Sequence, residues 1–208
     1  MTDRLVERTL RAFSDELASS AAVPGGGSAA AYSGAMGAAL AAMVGRIAER
    51  KETNEATTTL IAEADNLRAD FIRLVDDDSA AYARVSDAMK LPKASPEEKA
   101  ARAERMQSAL LAASRVPLEV AKTSRRLLDL CERTVQRAAS ATVSDVGVGA
   151  LMAETALRGA ALNVMINLAS VKDAAQVKAL SEDLDGAVDG ADAQLKRITD
   201  FVESRIAR

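Results

Sequence analysis

No histidine occurs in the 208 residues, and tryptophan is missing as well. The first absence removes the commonest general base and the commonest metal ligand together. Any catalysis must therefore run on carboxylates, lysine, tyrosine, hydroxyls, the single Cys131 or main-chain dipoles. One cysteine cannot form an intrachain disulfide, which suits a reducing compartment. Aromatic residues make up only 2% of the chain, so Leu, Val, Ile, Met and Ala must fill the core, a palette that favours helices over sheets. The net charge of -3 offers no general attraction to phosphate backbones. No basic stripe interleaved with aromatics is present, which argues against nucleic acid as a partner. The opening "MTDRLVERTLRAF" is charged throughout and lacks the apolar stretch of a signal peptide, so a cytoplasmic location is expected.

What is present reads as one all-α domain spanning 1–208, a bundle of long helices. A first helix is predicted over about 3–19 and a second over about 28–50. In the second, Ala30, Gly34, Gly37, Ala41 and Gly45 share one face and would let another backbone approach closely. Residues 17–45 carry no charge, but Ala and Gly contribute little transfer energy and Pro24 with three glycines interrupts the run. A membrane span is therefore not expected. Helix signals continue over about 55–91. "LPKASPEEKAARAERM" then sets Ser95 as an N-cap with Pro96 at the first helical position. Pro117 is expected to mark a kink or short break between helices over about 96–114 and 118–138. Cys131, among Leu127, Leu128 and Val135, reads as core filler. Ser144 is the expected N-cap of a further helix with Asp145 in its first turn, and one last helix is expected over about 173–206.

Two patterns carry chemistry. Along the third helix Leu60, Ala64, Leu67, Phe71, Val75, Asp78, Tyr82, Val85 and Met89 step by threes and fours, an apolar stripe in which Asp78 is the only charge. Its neighbours Asp76 and Asp77 face elsewhere. A carboxylate in such a stripe costs free energy unless paired or hydrogen-bonded; a structural bond to a helix N-terminus or an arginine would satisfy it, and so would a task in a site. Further on, Asp145, Gly149, Met152, Ala156, Ala160, Asn163 and Asn167 share one helical face. Asp145 and Asn163 would lie about 27 Å apart at 1.5 Å per residue, so using both requires an elongated ligand or two copies of the chain. "PGGGS" lacks the GxxxxGK[ST] pattern of a phosphate loop. It reads instead as a turn in close approach to something, beside helix N–H groups.

"PGGGSAAAYSGAMGAALAAMV", "DDDSAAYARV", "MKLPKASPEEKAAR", "VPLEVA", "VSDVGVGAL" and "ALNVMINL" follow one another in an order that resembles the formiminotransferase-cyclodeaminase C-terminal domain and its free-standing relatives, the methenyltetrahydrofolate cyclohydrolases. The likeness covers about residues 13–178. It implies an all-helical, homodimeric enzyme that acts on one-carbon adducts of tetrahydrofolate, with the folate as substrate, no prosthetic group and no metal. Either the amidinium carbon of 5,10-methenyltetrahydrofolate is hydrolysed to 10-formyltetrahydrofolate, or 5-formiminotetrahydrofolate is cyclised with loss of ammonia. Both paths need a fixed negative charge beside a cation and a group that moves protons. Asp78 is the expected catalytic group, with Tyr82 one turn away as a wall. The match places Gly25, Gly26, Gly27 and Ser28 at the ligand's edge, with Asp145 and Asn163 as further polar contacts.

Two segments depart from the family pattern. Where relatives carry Gly-Lys-Lys-x-Tyr, this chain reads "AERKETNEA", keeping Arg50 and Lys51 but no aromatic. Where relatives carry Asn-x-Asn before the Ser-Asp pair, it has Ala139, Ser140 and Ala141. These losses bear on the substrate more than on the fold. Two other readings accordingly stay open: the same scaffold acting on a non-folate amidine or iminium compound, and a non-catalytic helical binding protein. A chain without a formiminotransferase half is expected to favour hydrolysis.

Overall fold

The computed structural model describes residues 4–50 and 54–207, all of it helices and connecting turns. A 3-10 turn, Leu5–Glu7, precedes α1 (Leu10–Leu17), α2 (Gly26–Glu49), α3 (Glu55–Lys90), α4 (Pro96–Val135), α5 (Val143–Leu168), α6 (Ala174–Val188) and α7 (Ala191–Ile206). Short connections make sequential helices antiparallel neighbours. α2 packs on α3, α3 on α4, α4 on α5 and α5 back on α2, which closes a four-helix ring, while α6 and α7 lie against α4 and α5. Phe71, Leu67, Leu127, Leu128, Leu157 and Val164 fill the centre, all fully buried.

The small-residue face of α2 explains how the ring closes so tightly. A Cβ on Gly34 would sit 2.4 Å from the Phe71 ring, one on Gly37 2.8 Å from the Gly149 carbonyl, and one on Gly45 2.8 Å from Ile61. The stripe therefore packs inside one chain, against α3 on one side and α5 on the other. α2 is long and apolar enough to cross a membrane, yet 67% of its most apolar stretch is buried in the bundle. Its apolarity belongs to a core helix.

Helix starts follow their cap residues in most places. Asn54 caps α3 by accepting from Thr57 N at 2.9 Å. Ser95 and Glu98 form a reciprocal capping box with Pro96 in the first turn of α4. At the N-terminus the single helix expected over about 3–19 is a 3-10 turn followed by α1, because Thr9 accepts from Ala12 N and starts a fresh helix. α2 begins at Gly26 with Gly25 as N-cap, so the glycines lie in the first turn rather than ahead of it. α5 begins at Val143, and the N-cap position falls on Thr142, with no side-chain cap bond, rather than on Ser144. Val143 and Val146 are completely buried, and their burial sets the start instead of a hydroxyl cap.

Two expected boundaries moved further. α4 runs unbroken through Pro117. Proline has no N–H to give the carbonyl four residues back, and that carbonyl, Ala113 O, accepts instead from Asn167 Nδ2 of α5 at 3.0 Å. A side chain from a neighbouring helix thus replaces the missing main-chain donor. Conversely, the final helix is two. Gly190 adopts φ +70, a left-handed conformation that ends one helical register and starts another. The apolar spacing Leu184, Val188, Ala191, Leu195 passes through the break without a phase error, so periodicity alone could not reveal it.

The α4 repair is testable as a cycle. Asn167→Ala should cost about 1–2 kcal/mol by stranding a carbonyl. In a Pro117→Ala background, where residue 117 regains its N–H, most of that cost should disappear in urea titrations.

Candidate active site

A cleft of about 390 Å³ opens where the N-terminus of α2, the second half of α3, the middle of α4 and the C-terminal end of α5 converge. Gly25, Gly26, Gly27, Asp78, Tyr82 and Asn163 all line it. The structure thus gathers six of the eight candidate residues around one cavity. Apolar walls come from Val85 and Met89 of α3, Leu110 of α4 and Ile166 of α5.

The three consecutive aspartates separate as the helical turn requires. Asp76 accepts from Arg4 Nε and from Leu5 N, both at 2.9 Å, pinning the N-terminal turn to α3. Asp77 pairs with Arg73 on the surface. Asp78 has no salt-bridge partner among the described residues; it accepts from Ser28 Oγ at 2.8 Å and from the Ser28 main chain. It therefore caps the N-terminus of α2 from another helix, where the helix dipole favours an anion. Burial pushes its carboxyl above the ordinary carboxylate value, against the smaller lowering effect of the two Ser28 bonds.

Gly27 is the reason the carboxylate can come so close. A Cβ there would lie 2.1 Å from Asp78 Oδ1, inside any permissible contact. Gly26 faces Asn163, whose Nδ2 would be 3.5 Å from an added Cβ. Ser28, in contrast, is 0% exposed. It cannot touch a ligand in the cleft, and the expectation that it does is corrected: its hydroxyl is spent on Asp78 and on the Val75 carbonyl at 3.2 Å.

Asn163 Nδ2 donates to Gly159 O at 2.8 Å and Asn167 Nδ2 to Ala113 O at 3.0 Å. Carbonyl oxygens accept only, so both carboxamide orientations are fixed by these bonds. Each Asn keeps an oxygen with no protein donor among the described residues. Among the described residues, no lysine or arginine lines the cleft. A carboxylate, two carboxamide oxygens and a half-exposed phenol form a cavity suited to a cation that carries N–H groups.

Residue order alone did not single out Asn167, Val85, Met89, Leu110 and Ile166 as cleft residues. Val85 and Met89 stood on the Asp78 stripe and Asn167 on the Asn163 face, so those three had a signal. Leu110 and Ile166 had none. Asp145 is not brought to this cleft within one chain. It lies in the first turn of α5, whereas Asn163 is near the other end. The departing segments share that remote end, where α2 and α4 finish and α5 begins. Arg50 and residues 139–141 are there, and Lys51 lies outside the described residues. Cys131 is completely buried and its thiol is pushed up to about 12 by desolvation, which excludes it as a nucleophile.

Residues 9–186 match the family described as Formiminotransferase-cyclodeaminase. The chain belongs to this family. Among its relatives, the methenyltetrahydrofolate cyclohydrolase of Methylorubrum extorquens is 39% identical over 202 residues, covering 95% of this chain and 97% of that one. The formimidoyltransferase-cyclodeaminase of Sus scrofa is 37% identical over 207 residues, covering 98% of this chain but 38% of the pig protein. The crystal structure of formiminotetrahydrofolate cyclodeaminase from Thermotoga maritima superposes with a TM-score of 0.83 at 25% identity, covering 95% of this chain and 97% of that one. Within the formiminotransferase-cyclodeaminase family, then, both stand-alone and fused forms of this helical domain occur. The Methylorubrum cyclohydrolase and the Thermotoga cyclodeaminase are each covered to 97%, so length does not separate hydrolysis from deamination.

Gly27→Ala should drive the Asp78 carboxylate out of its seat. Urea unfolding should show a loss of about 1–3 kcal/mol, and a crystal structure of the variant should show Asp78 displaced from Ser28.

Proposed function

We propose that this chain hydrolyses the amidinium carbon of 5,10-methenyltetrahydrofolate to give 10-formyltetrahydrofolate. The folate adduct is the substrate and no prosthetic group takes part. The observation that carries this is Asp78, a half-buried carboxylate without a cationic partner among the described residues, in a cleft that none of their lysines or arginines lines. An enzyme for a delocalised cation needs that arrangement, because the ligand supplies the missing positive charge. The 39% identity to the Methylorubrum cyclohydrolase supports the same choice.

The chemistry can be followed on this chain's residues. Ionised Asp78 takes a proton from water as its oxygen bonds to the carbon between N5 and N10, and the cation becomes a neutral tetrahedral adduct. Protonated Asp78 then gives that proton to N5 as the carbon–N5 bond breaks. The adduct's hydroxyl proton leaves to solvent, which balances the net release of one proton. A carboxyl raised by burial serves both steps near neutrality better than one at its ordinary value. Tyr82, one turn along α3, forms a wall of the cleft beside the reacting ring. Cyclising deamination of 5-formiminotetrahydrofolate, favoured by the likeness to the Thermotoga enzyme, uses the same groups: N10 adds to the protonated formimino carbon, Asp78 takes the N10 proton and returns it to the amino group, and ammonia leaves as the methenyl cation forms. The buried free thiol of Cys131 fits a cytoplasmic setting.

The chain acts as a homodimer in this proposal. α2 and α5 are neighbours, and their outer faces carry Met36, Met43, Val148 and Leu151, each 37% to 49% exposed. Such an apolar face suits a second copy. A two-fold axis that runs α2 and α5 against their counterparts would carry the Asp145 end of one chain to the cleft end of the other. That arrangement gives Asp145 a role in binding that a single chain denies it.

Loss of methenyltetrahydrofolate absorbance should accelerate with the protein, and Asp78→Asn should slow it by about 10²–10⁴-fold; turnover close to that of the unchanged chain would exclude Asp78 as the catalytic group. The same variant should be at least as stable as the parent at neutral pH. A raised folded-state pKa stabilises the protonated form, and that stability is lost as pH rises through the raised value, a loss Asn cannot suffer. The advantage should vanish in acid.

For the dimer, sedimentation should give twice the monomer mass, and Leu151→Glu should halve it. Mixing the separately inactive Asp78→Asn and Asp145→Ala proteins should recover activity, since a mixed dimer holds one intact site.

A further inference from the structure

The proposed reaction asks Asp78 to be base in one step and acid in the next, so its surroundings must tolerate both forms. An arginine beside it would lock it ionised, and a wholly apolar seat would lock it neutral. Neither is present. Ser28 Oγ sits 2.8 Å from Asp78 Oδ2, 3.2 Å from the Val75 carbonyl oxygen and 3.3 Å from Ser79 Oγ.

Resting on the functional reading above, we propose that Ser28 is a positioning residue whose hydroxyl keeps Asp78 hydrogen-bonded in both of its protonation states. A hydroxyl has one proton and two lone pairs. When Asp78 is ionised, Ser28 O–H donates to Oδ2. When the proton sits on the Asp78 oxygen that faces the cleft, from which N5 receives it, Oδ2 still accepts from Ser28; when it sits on Oδ2, Ser28 turns its own proton to the Val75 carbonyl and Oγ accepts the Asp78 O–H. Val75 O is a second acceptor built into α3 one turn before Asp78, and Ser79 Oγ offers a third partner. Hydroxyl rotation takes picoseconds to nanoseconds, far faster than turnover.

The seat holds Asp78 still while the proton moves. Oδ1 lies against Gly27, where a Cβ would be 2.1 Å away, and Oδ2 lies against Ser28, which is fully buried in the first turn of α2. Both carboxylate oxygens are thus held against the first turn of α2. No competing charge interferes. At the cleft α2 and its N-cap present Gly25, Gly26 and Gly27, α4 presents Leu110 and Ala113, and α5 presents Asn163, Ile166 and Asn167, none of them ionisable. On α3 itself Asp76 is turned to Arg4 and Asp77 to Arg73. Tyr82 is the one other titratable side chain lining the cleft.

Ser28→Ala removes the two-way partner without touching the ligand surface. A ¹³C NMR titration of the Asp78 carboxyl in ligand-free protein should move its midpoint to higher pH, because the ionised form loses its donor while burial is unchanged. In turnover, kcat should fall about tenfold to a hundredfold with KM nearly constant, and the acid limb of the kcat profile should move up by the same amount as the NMR midpoint. Ser28→Cys keeps the volume with a weaker donor and should fall between the two; it carries the test if Ser28→Ala does not fold. A folded variant with the Asp78 midpoint and the acid limb unchanged overturns the proposal. Full methenyltetrahydrofolate turnover by Asp78→Asn would overturn the functional reading instead, and the ligand-free titration keeps the two failures apart.

Discussion

The contact between the Asp78 carboxylate and the first turn of α2 organises this protein. It is a helix cap supplied by a different helix, so it joins the start of α2 to the far half of α3 and fixes the angle at which they meet. It also leaves the carboxylate half-buried with no cation to neutralise it. A group in that position offsets its desolvation with only two hydrogen bonds from Ser28, and no lysine or arginine among the described residues lines the cleft beside it. The structural cap and the carboxylate proposed to react are one residue.

Glycine and alanine make that contact possible. Gly27 admits the carboxylate, and Gly34, Gly37 and Gly45 let α2 settle against α3 and α5 with almost no intervening bulk. Close approach of backbones narrows the ring of four helices and leaves the cavity at one end, where α3 and α4 continue past the main core with their own small apolar cluster around Ala81, Val85, Ala88, Ala109 and Ala113. The cleft lies between that extension and the ends of α2 and α5. Asn167 serves both regions: it supplies the hydrogen bond that Pro117 cannot, and it presents an oxygen to the cavity.

The remote end of the bundle is organised differently. Arg50, the loop with residues 139–141 and Asp145 gather where α2 and α4 end and α5 begins. Glu49 is some 35 Å from Gly26 along a helix rising 1.5 Å per residue. The segments that depart most from the family pattern are thus separated from Asp78 by the length of the bundle. Differences there leave the residues around Asp78 of the same chain intact and bear on whatever meets the opposite end of the molecule, which in the proposed dimer is the partner's cleft.

The helical class, the apolar faces and the isolation of Asp78 among apolar residues were all legible in the chain, because each follows from spacing along one helix. Order along the chain also grouped Gly25, Gly26, Gly27, Tyr82 and Asn163 with Asp78 through the family resemblance. Tertiary structure decided the rest. Ser28 became a buried partner of Asp78 instead of a ligand contact, Pro117 was absorbed because α5 brought Asn167 to its orphaned carbonyl, and Gly190 broke a helix whose periodicity ran on undisturbed. Each depends on an atom from a distant part of the chain or on a torsion that side-chain patterning does not record. A pattern along one helix can say which way a residue faces, but only packing says what it meets there.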